Sequence, residues 1–381
     1  MNAAAWIFCC CVAWVLWVIV GYPLWLGLRA RYQGRPPHSG PYEPAITVIL
    51  PVHNGARFLS AKLESILNSE YPPDKLGILV LSDNSDDGTD NLAEEFTRRF
   101  PARVRFLRLP RGGKAATLNV ALGEVTSDLL VFTDVRQRLD PACVRSLAET
   151  LHDPQVGVVS GNLRILAGDS AEESNVGLYW RYESWIRRNL SLTDSLLGAT
   201  GPIYALRRKL AHPLPKDCIL DDVWLPMQAV LAGYRSVWNE HAVAWDFPTG
   251  LKEEFARKVR TQAGVFQLLW QLPGLFSPRS RLLWPFCVLK LGRLLLPEVL
   301  LACFVVSFGL PAPLCWFIVA GQLLFYAVAM LDVLVPEASL LKRVTAPMRA
   351  FVVLLAAALF ALSIFFTKPA KLWKQTRVRT P

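Results

Sequence analysis

Acidic residues stand where several apolar runs of this sequence stop. Asp134 follows Leu129-Leu130-Val131-Phe132-Thr133, Asp83 follows Leu76 to Ser82, and the pair Asp221-Asp222 follows Ile219-Leu220. Four consecutive apolar residues bounded by polar ones predict a strand buried on both faces, which carries Asp134 to the rim of a parallel sheet. Ligands of such sheets bind at the carboxyl ends of the strands. A carboxylate there suits a hard divalent cation, Mg²⁺ or Mn²⁺, and through it a diphosphate, because such ions prefer oxygen ligands. Asp221 and Asp222 open a helical pattern through Leu225, Val230 and Leu231, where a carboxylate can cap the helix and complement its dipole. In Ser82-Asp83-Asn84-Ser85-Asp86-Asp87-Gly88-Thr89, the residues Asp86, Asp87 and Thr89 read as turn and capping chemistry.

The elements that position these residues follow from periodicity. Ile46 to Leu50 is β-rich and ends in Pro51-Val52-His53-Asn54-Gly55, after which Leu59, Leu63, Ile66 and Leu67 mark a helix. Leu76 to Leu81 repeats the logic before a helix from Asp90 to Phe100. Val104 to Leu109 is a third strand, and Pro110-Arg111-Gly112-Gly113-Lys114 opens a helix through Leu118 and Leu122. Strands alternating with helices of this length predict βαβ units, an α/β fold and a mostly parallel sheet, so Asp83 and Asp134 share one edge. No G-x-G-x-x-G follows the first strand, which argues against a dinucleotide fold. Further on, Gly157 to Gly161 reads as a strand, Ala171 to Asn189 as an amphipathic helix with Tyr179, Trp180, Tyr182 and Trp185, and Tyr234 to Trp238 and Ala242 to Trp245 as two strands.

The ends of the chain are of another character. Over 381 residues the composition is 52% apolar, more than an ordinary soluble domain carries. Ala3 to Leu28 holds no charge, is longer than the roughly 20 residues that cross a bilayer, and is followed by Arg29, Arg31 and Arg35, so it reads as an anchor. Positive charge after the span predicts a cytoplasmic domain. Residues 1–28 are thus the anchor, 29–45 a Pro- and Gly-rich linker, 46–266 the α/β domain and 267–293 an interfacial segment with Trp270, Trp284, Lys290 and Arg293 among leucines. Lys290 and Arg293 also fit the start of a span with snorkelling cations. Residues 294–367 supply two to three further spans, from a hairpin over Leu294 to Val335 and a segment from Ala346 to Thr367, before a basic tail at 368–381. Four spans in all would put Lys368, Lys371, Lys374, Arg377 and Arg379 outside, against the positive-inside rule, unless the last segment is re-entrant or the count is one too high.

The net charge of +10 is spread over membrane-flanking positions and points to anionic lipid rather than nucleic acid. Eight cysteines show no metal-like spacing and read as reduced thiols of a cytosolic compartment.

Together, Pro51-Val52-His53-Asn54, the Ser82 to Thr89 turn, Gly113-Lys114-Ala115 with Asn119, and Phe132-Thr133-Asp134 resemble the nucleotide-sugar half of the inverting family 2 glycosyltransferases, which have the GT-A fold. The likeness is greatest to the membrane-embedded cellulose, hyaluronan and poly-N-acetylglucosamine synthases. It implies a GT-A domain inserted between transmembrane helices of a bacterial-type inner membrane, a UDP-sugar donor and a polysaccharide acceptor, with lipid transfer as the alternative and export subunits as partners. A nucleotide-binding transport or sensor component is the non-enzymatic alternative. By this resemblance Asp83 recognises the nucleobase in a pocket lined by Pro51 and His53, Lys114 lies near the nucleoside, and Asp134 holds ribose and the metal-diphosphate. Gly198 to Arg208, with Gly201, resembles the acceptor segment, and Asp222 matches the general base, with Asp221 as the alternative.

Two departures from the family pattern carry consequences. Arg136 stands where the second acid of D-x-D is expected, and the resemblance then assigns it to the diphosphate directly, since guanidinium pairs with phosphate. In the Q-x-x-R-W segment Arg260 survives, while Arg257 replaces Gln and Thr261 replaces Trp. Arg257 and Arg260 fit the charge that develops on a leaving diphosphate, or a cationic face against the membrane. Loss of the Trp removes a stacking platform for a retained chain.

Overall fold

The computed structural model describes residues 2–166, 171–247, 251–336 and 339–367, with the backbone alone for 171–180 and 251–252. The basic tail and the side chains of Tyr179 and Trp180 lie outside the described residues. Two collinear helices, α1 (Ala3–Leu16) and α2 (Tyr22–Gln33), open the chain. Then β1 (Ile46–Val52), α3 (Ala56–Leu67), β2 (Leu76–Asp83), α4 (Thr89–Arg99), β3 (Val104–Leu109), α5 (Lys114–Glu124) and β4 (Leu129–Thr133) form the expected alternation. They are followed by β5 (Arg138–Leu139), α6 (Cys143–Thr150), β6 (Val156–Ile165), α7 (Ala171–Thr193), β7 (Ile203–Arg207), α8 (Asp221–Leu231), β8 (Arg235–Asp246) and α9 (Leu251–Gln271). The carboxyl-terminal part holds α10 (Leu283–Phe286), which continues to Gly292, then α11 (Leu296–Ser307), α12 (Leu314–Leu331) and α13 (Lys342–Ala361).

All eight strands join one sheet in the order β3-β2-β1-β4-β7-β6-β8-β5. The pairs β3-β2, β2-β1 and β1-β4 are parallel, so the ends of β2 and β4 deliver Asp83 and Asp134 to one edge. Beyond β4 the sheet is mixed, because β7 runs antiparallel to both β4 and β6. Every residue of β4 is buried. Leu129 and Val131 enter the core formed with α3, α4 and α6, while Leu130 and Phe132 enter the core formed with α5, α8 and α9. That two-sided burial is why the run reads apolar at every position.

The strand β4 ends at Thr133, so Asp134, Val135 and Arg136 lie past the rim. Two local expectations are corrected. The two strands expected between Tyr234 and Trp245 are one, β8, which absorbs the polar Asn239-Glu240-His241 through a register irregularity against β6. Asp221 is the first residue of α8, whose cap position is Leu220 with no side-chain cap bond, so the carboxylates face elsewhere.

Among the described residues three helices are long and apolar enough to cross a membrane: Ala3–Gln33, Leu314–Leu334 and Lys342–Phe365. The helix at Leu296–Ser307, expected to be half of a hairpin, is shorter, with 12 residues. All eight cysteines are free thiols.

Candidate active site

The turns after β1 and β2 are tied to each other. The Ala56 N–H donates to Asp87 Oδ2 at 3.0 Å, that of Gly55 to Thr89 Oγ1 at 2.9 Å, and that of Asn54 to Ser85 Oγ at 3.1 Å. Asp87 and Thr89 thus satisfy the free amides at the start of α3, in keeping with the turn and capping chemistry expected of them. Inside this frame His53 Nδ1 lies 3.0 Å from the Asp83 carbonyl, with Pro51 beside it at the end of β1. The Asp83 carboxylate is buried and accepts the Gly112 N–H at 2.7 Å, the Gly113 N–H at 3.0 Å, and the Arg111 guanidinium. Gly113 adopts φ +82°, a conformation that favours glycine, and so turns both amides onto Asp83. The nucleobase position expected at Asp83 therefore lies under the Arg111-Gly112-Gly113 loop.

Lys114, the first residue of α5, joins the rim of the sheet to the start of α8. Its Nζ is 3.1 Å from Asp134 Oδ1 and 3.2 Å from Asp221 Oδ2. Burial opposes its charge, but Asp134, Asp221 and Asp222 outweigh burial and raise its pKa. Asp221 is 5% exposed, and burial raises its carboxyl pKa against the pull of Lys114. Asp222 is half-buried and its pKa is pushed up to about 6, by desolvation first and then by the charge of Asp221.

Asp222 is set by its neighbours in the chain. Pro226 lies inside α8 and has no N–H to give the carbonyl four residues earlier. The Asp222 carbonyl instead accepts the Ala199 N–H at 2.7 Å, which fastens the glycine segment to the helix. A Cβ on Gly201 would sit 2.7 Å from Asp222 Oδ2, so Gly201 is where backbone and carboxylate must pass closely. The glycine expected to admit a sugar admits the carboxylate.

The two departures in the family pattern resolve differently. Arg136 does not point its guanidinium to a free anion position: Nε and Nη2 hold Asp246 at 2.8 and 2.6 Å. Asp246, at the end of β8, also accepts the Gln137 amide at 2.8 Å, so the acid missing at position 136 is supplied from 110 residues away and is already neutralised. Arg257 forks onto Glu254 of its own helix at 2.7 to 3.0 Å. Arg260 lies within the fields of Asp134, Asp222 and Asp221, though burial lowers its pKa. Of the cations expected at the diphosphate, Arg260 lies in the fields of the carboxylates, and Lys114, expected near the nucleoside, is in contact with two of them.

Sequence reasoning passed over three groups. Tyr204 on β7 is fully buried, stacks on Phe132 at 4.7 Å, and leaves its hydroxyl without a hydrogen-bond partner among the described residues. Its surroundings include the charges of Asp221, Asp222 and Asp134, and burial raises its pKa. Arg187 on α7 donates to Ser160 Oγ and Thr200 Oγ1 at 2.7 and 2.9 Å. Lys62 on α3 is wholly buried beneath the Asp134 turn and donates to Thr133 Oγ1 at 2.6 Å and the Gln137 carbonyl at 2.5 Å. Nothing in their local spacing marks them, because each reaches the site through packing.

Among the described residues no three His, Cys, Asp or Glu side chains gather to hold a metal. A site of one carboxylate is left: the Asp134 side chain is 40% exposed, and one of its oxygens meets Lys114.

Residues 47–214 match the model of glycosyl transferase family 2, and residues 131–364 match that of glycosyl transferase family group 2. The chain is 28% identical to a probable glycosyltransferase, YdaM, of Bacillus subtilis over 53% of its own length, and spans 50% of that protein. It is 28% identical to an N-acetylglucosaminyltransferase of Rhizobium meliloti over 69% of its length, spanning 65% of that protein. Identity to a poly-beta-1,6-N-acetyl-D-glucosamine synthase of Staphylococcus aureus is 23%, over 74% of this chain and 69% of the synthase. In fold it resembles the mannosyltransferase PcManGT from Pyrobaculum calidifontis, solved with GDP-Man and Mn²⁺, with a TM-score of 0.69 at 21% identity over 93% of this chain and 99% of that one. The four motifs, the sheet that gathers them and a family match over more than half of the chain agree: the protein is a glycosyltransferase of family 2 with the GT-A fold.

Proposed function

We propose that the protein is a membrane-integrated, inverting transferase that moves a sugar from a UDP-sugar to a growing polysaccharide at the cytoplasmic face. The observation that carries the reading is the juxtaposition of Asp134, Lys114 and Asp221-Asp222, in which one ammonium lies between the donor-edge and acceptor-side carboxylates. The acceptor hydroxyl oxygen attacks the anomeric carbon while the bond to the diphosphate oxygen breaks on the opposite face. Asp222 takes the hydroxyl proton, for which a pKa of about 6 keeps it ionised at neutral pH. UDP leaves with the bonding pair, and Lys114 and Arg260 stabilise the charge it gains.

Asp134, with diphosphate oxygens and water, would hold Mg²⁺ or Mn²⁺, since Mg²⁺ is commonly bound through one or two carboxylates plus substrate phosphates. Such an ion would neutralise the diphosphate. The polysaccharide reading is supported by the likeness to a poly-beta-1,6-N-acetyl-D-glucosamine synthase and by the apolar helices that flank the domain. Single-sugar transfer to a lipid is the other reading. Purified protein in detergent, offered a panel of radiolabelled nucleotide-sugars, should transfer one of them into a large, water-soluble product whose new linkage has the opposite anomeric configuration. A short, organic-extractable product would make the acceptor a lipid, and release of labelled nucleotide-sugar unchanged from every incubation would refute transfer.

A further inference from the structure

Lys290 lies on the apolar helix Leu283–Gly292, whose Gly292 packs close to Val18 and Trp14 of the N-terminal helix. The ammonium is half-buried, and among the described residues it makes neither a hydrogen bond nor an ion pair. Its neighbour Arg293 is committed: the guanidinium holds Glu183 Oε1 at 2.6 Å and lies over the Tyr182 ring at 5.5 Å. A cation withdrawn from water without a counter-ion is unfavourable, so this position calls for an anion.

The charges around Lys290 are those of Glu183, Arg187, Asp222 and Arg293. Three cations thus face two carboxylates, which leaves positive charge in excess. Arg187 approaches Asp222 from the same side, since its guanidinium donates to Thr200, the residue before Gly201. The donor-side cations have different company. Lys114 bridges Asp134 and Asp221, and Arg260 lies in the fields of both. Asp222 is the carboxylate that the two groups of cations share, while Asp134 and Asp221 face the donor-side pair and Glu183 faces Lys290 and Arg187. In an in-line displacement the attacking oxygen and the leaving diphosphate occupy opposite faces of the anomeric carbon. With the diphosphate at Asp134 and Lys114, a second cation pair that shares Asp222 belongs to the half where the attacking hydroxyl lies.

We propose that Lys290 and Arg187 form an anion subsite on the acceptor side of Asp222, and that the acceptor is an acidic glycan whose terminal sugar carries a carboxylate or a phosphate beside the attacked hydroxyl. The inference rests on the transferase reading and names the acceptor class for it. Lys290 engages the anion with a charge no protein group has claimed, and Arg187 supplies guanidinium donors beyond the nitrogen that holds Ser160 and Thr200.

The test uses full-length protein in detergent and oligosaccharide pairs that differ only at the non-reducing terminus: glucuronic acid against glucose, and glucose 6-phosphate against glucose. Binding without donor is measured by calorimetry, and transfer with the donor found in the nucleotide-sugar panel. The wild type should bind one acidic member about tenfold or more tightly than its neutral partner, as a charge-assisted hydrogen bond implies. Which pair shows the preference separates carboxylate from phosphate. In Lys290→Gln the preference should fall towards one through KM, Lys290→Arg should restore it, and Arg187→Lys should weaken it in part. UDP affinity should stay within about twofold in Lys290→Gln, which also reports a folded site. Equal binding of acidic and neutral oligosaccharides by the wild type would overturn the subsite, and so would a tenfold loss of UDP affinity in Lys290→Gln, which would give Lys290 to the donor diphosphate. Because binding needs no turnover, an acid preference lost in Lys290→Gln upholds the subsite even if no nucleotide-sugar is consumed, an outcome that would remove the transferase reading alone.

Discussion

In the proposed mechanism Asp222 is the residue on which the chemistry turns, and its environment makes two opposite demands. Replacement by Asn keeps the shape and removes the base, so Asp222→Asn should lower kcat by at least about 10²-fold while leaving UDP affinity unchanged, as loss of general base catalysis implies. A transfer rate equal to wild type would remove Asp222 from the mechanism. The raised pKa sets the pH profile: log kcat should climb with unit slope up to about pH 6 and level off above it. Stability runs the other way. Between the ordinary carboxylate range and about 6 the folded protein binds more proton than the unfolded chain, so folding is favoured at the acid end of that window and weakened as pH rises through it. In Asp222→Asn that fall should shrink, which thermal unfolding at pH 4 and pH 7 would reveal. Gly201→Ala tests the same carboxylate from its neighbour, for a Cβ 2.7 Å from Asp222 Oδ2 must displace it. The expected loss is again in kcat, by roughly tenfold or more, with donor KM little altered. The place of Asp134 at the end of a strand was legible in the periodicity, whereas Lys114, Asp222 and Arg260 were marked by the motifs of the family resemblance. The partner of Arg136 was not, because Asp246 is 110 residues away and no local spacing connects the two.

At the scale of elements, the rim is held by a buried network of hydrogen bonds. Lys62 on α3 binds Thr133 and Gln137, the two residues that flank the Asp134 turn. Thr133 in turn donates to the Pro202 carbonyl at 2.7 Å, next to Gly201, and Gln137 donates to Asp246 at the end of β8. One ammonium thereby fixes β4, the acceptor segment before β7 and the end of β8 relative to α3. Burial lowers the Lys62 pKa to about 7, so these hydrogen bonds are made by a group close to losing its charge. Lys62→Met should lower kcat/KM for the donor by about ten- to hundredfold by loosening the turn, with calorimetry showing weaker UDP-sugar binding. Unchanged donor kinetics in a folded Lys62→Met protein would show that the turn holds itself. The parallel strands β1, β2 and β4 were readable because burial on both faces makes them largely apolar; β8 was misread because Asn239-Glu240-His241 looks like a break and is a polar stretch of one continuous strand. Pro226, which by periodicity alone interrupts a helix, instead frees the Asp222 carbonyl for Ala199.

At the scale of the whole molecule, the long apolar helices and the candidate site share a side chain layer. Phe360 of α13 meets Phe255 of α9 at 5.8 Å, and Phe365, just beyond α13, meets Phe266 at 5.4 Å. Arg260 lies between Phe255 and Phe266 on α9, so the last apolar helix braces the element that carries the cation proposed for the diphosphate. Three crossings, at Ala3–Gln33, Leu314–Leu334 and Lys342–Phe365, would also remove the conflict that four created. An odd number would put the ends of the chain on opposite sides, and the positive-inside rule would then give Arg29, Arg31 and Arg35 the same cytoplasmic side as Lys368, Lys371, Lys374, Arg377 and Arg379. On this topology Leu283–Gly292 and Leu296–Ser307 lie at the cytoplasmic interface, which keeps Lys290 at the depth of the site. Fusions to the carboxyl terminus provide the test: a fluorescent protein that matures inside should glow, and an alkaline phosphatase that requires export should stay inactive. Active phosphatase would restore the fourth crossing, carry Leu296–Ser307 through the bilayer, and separate the basic tail from the charges that follow the anchor.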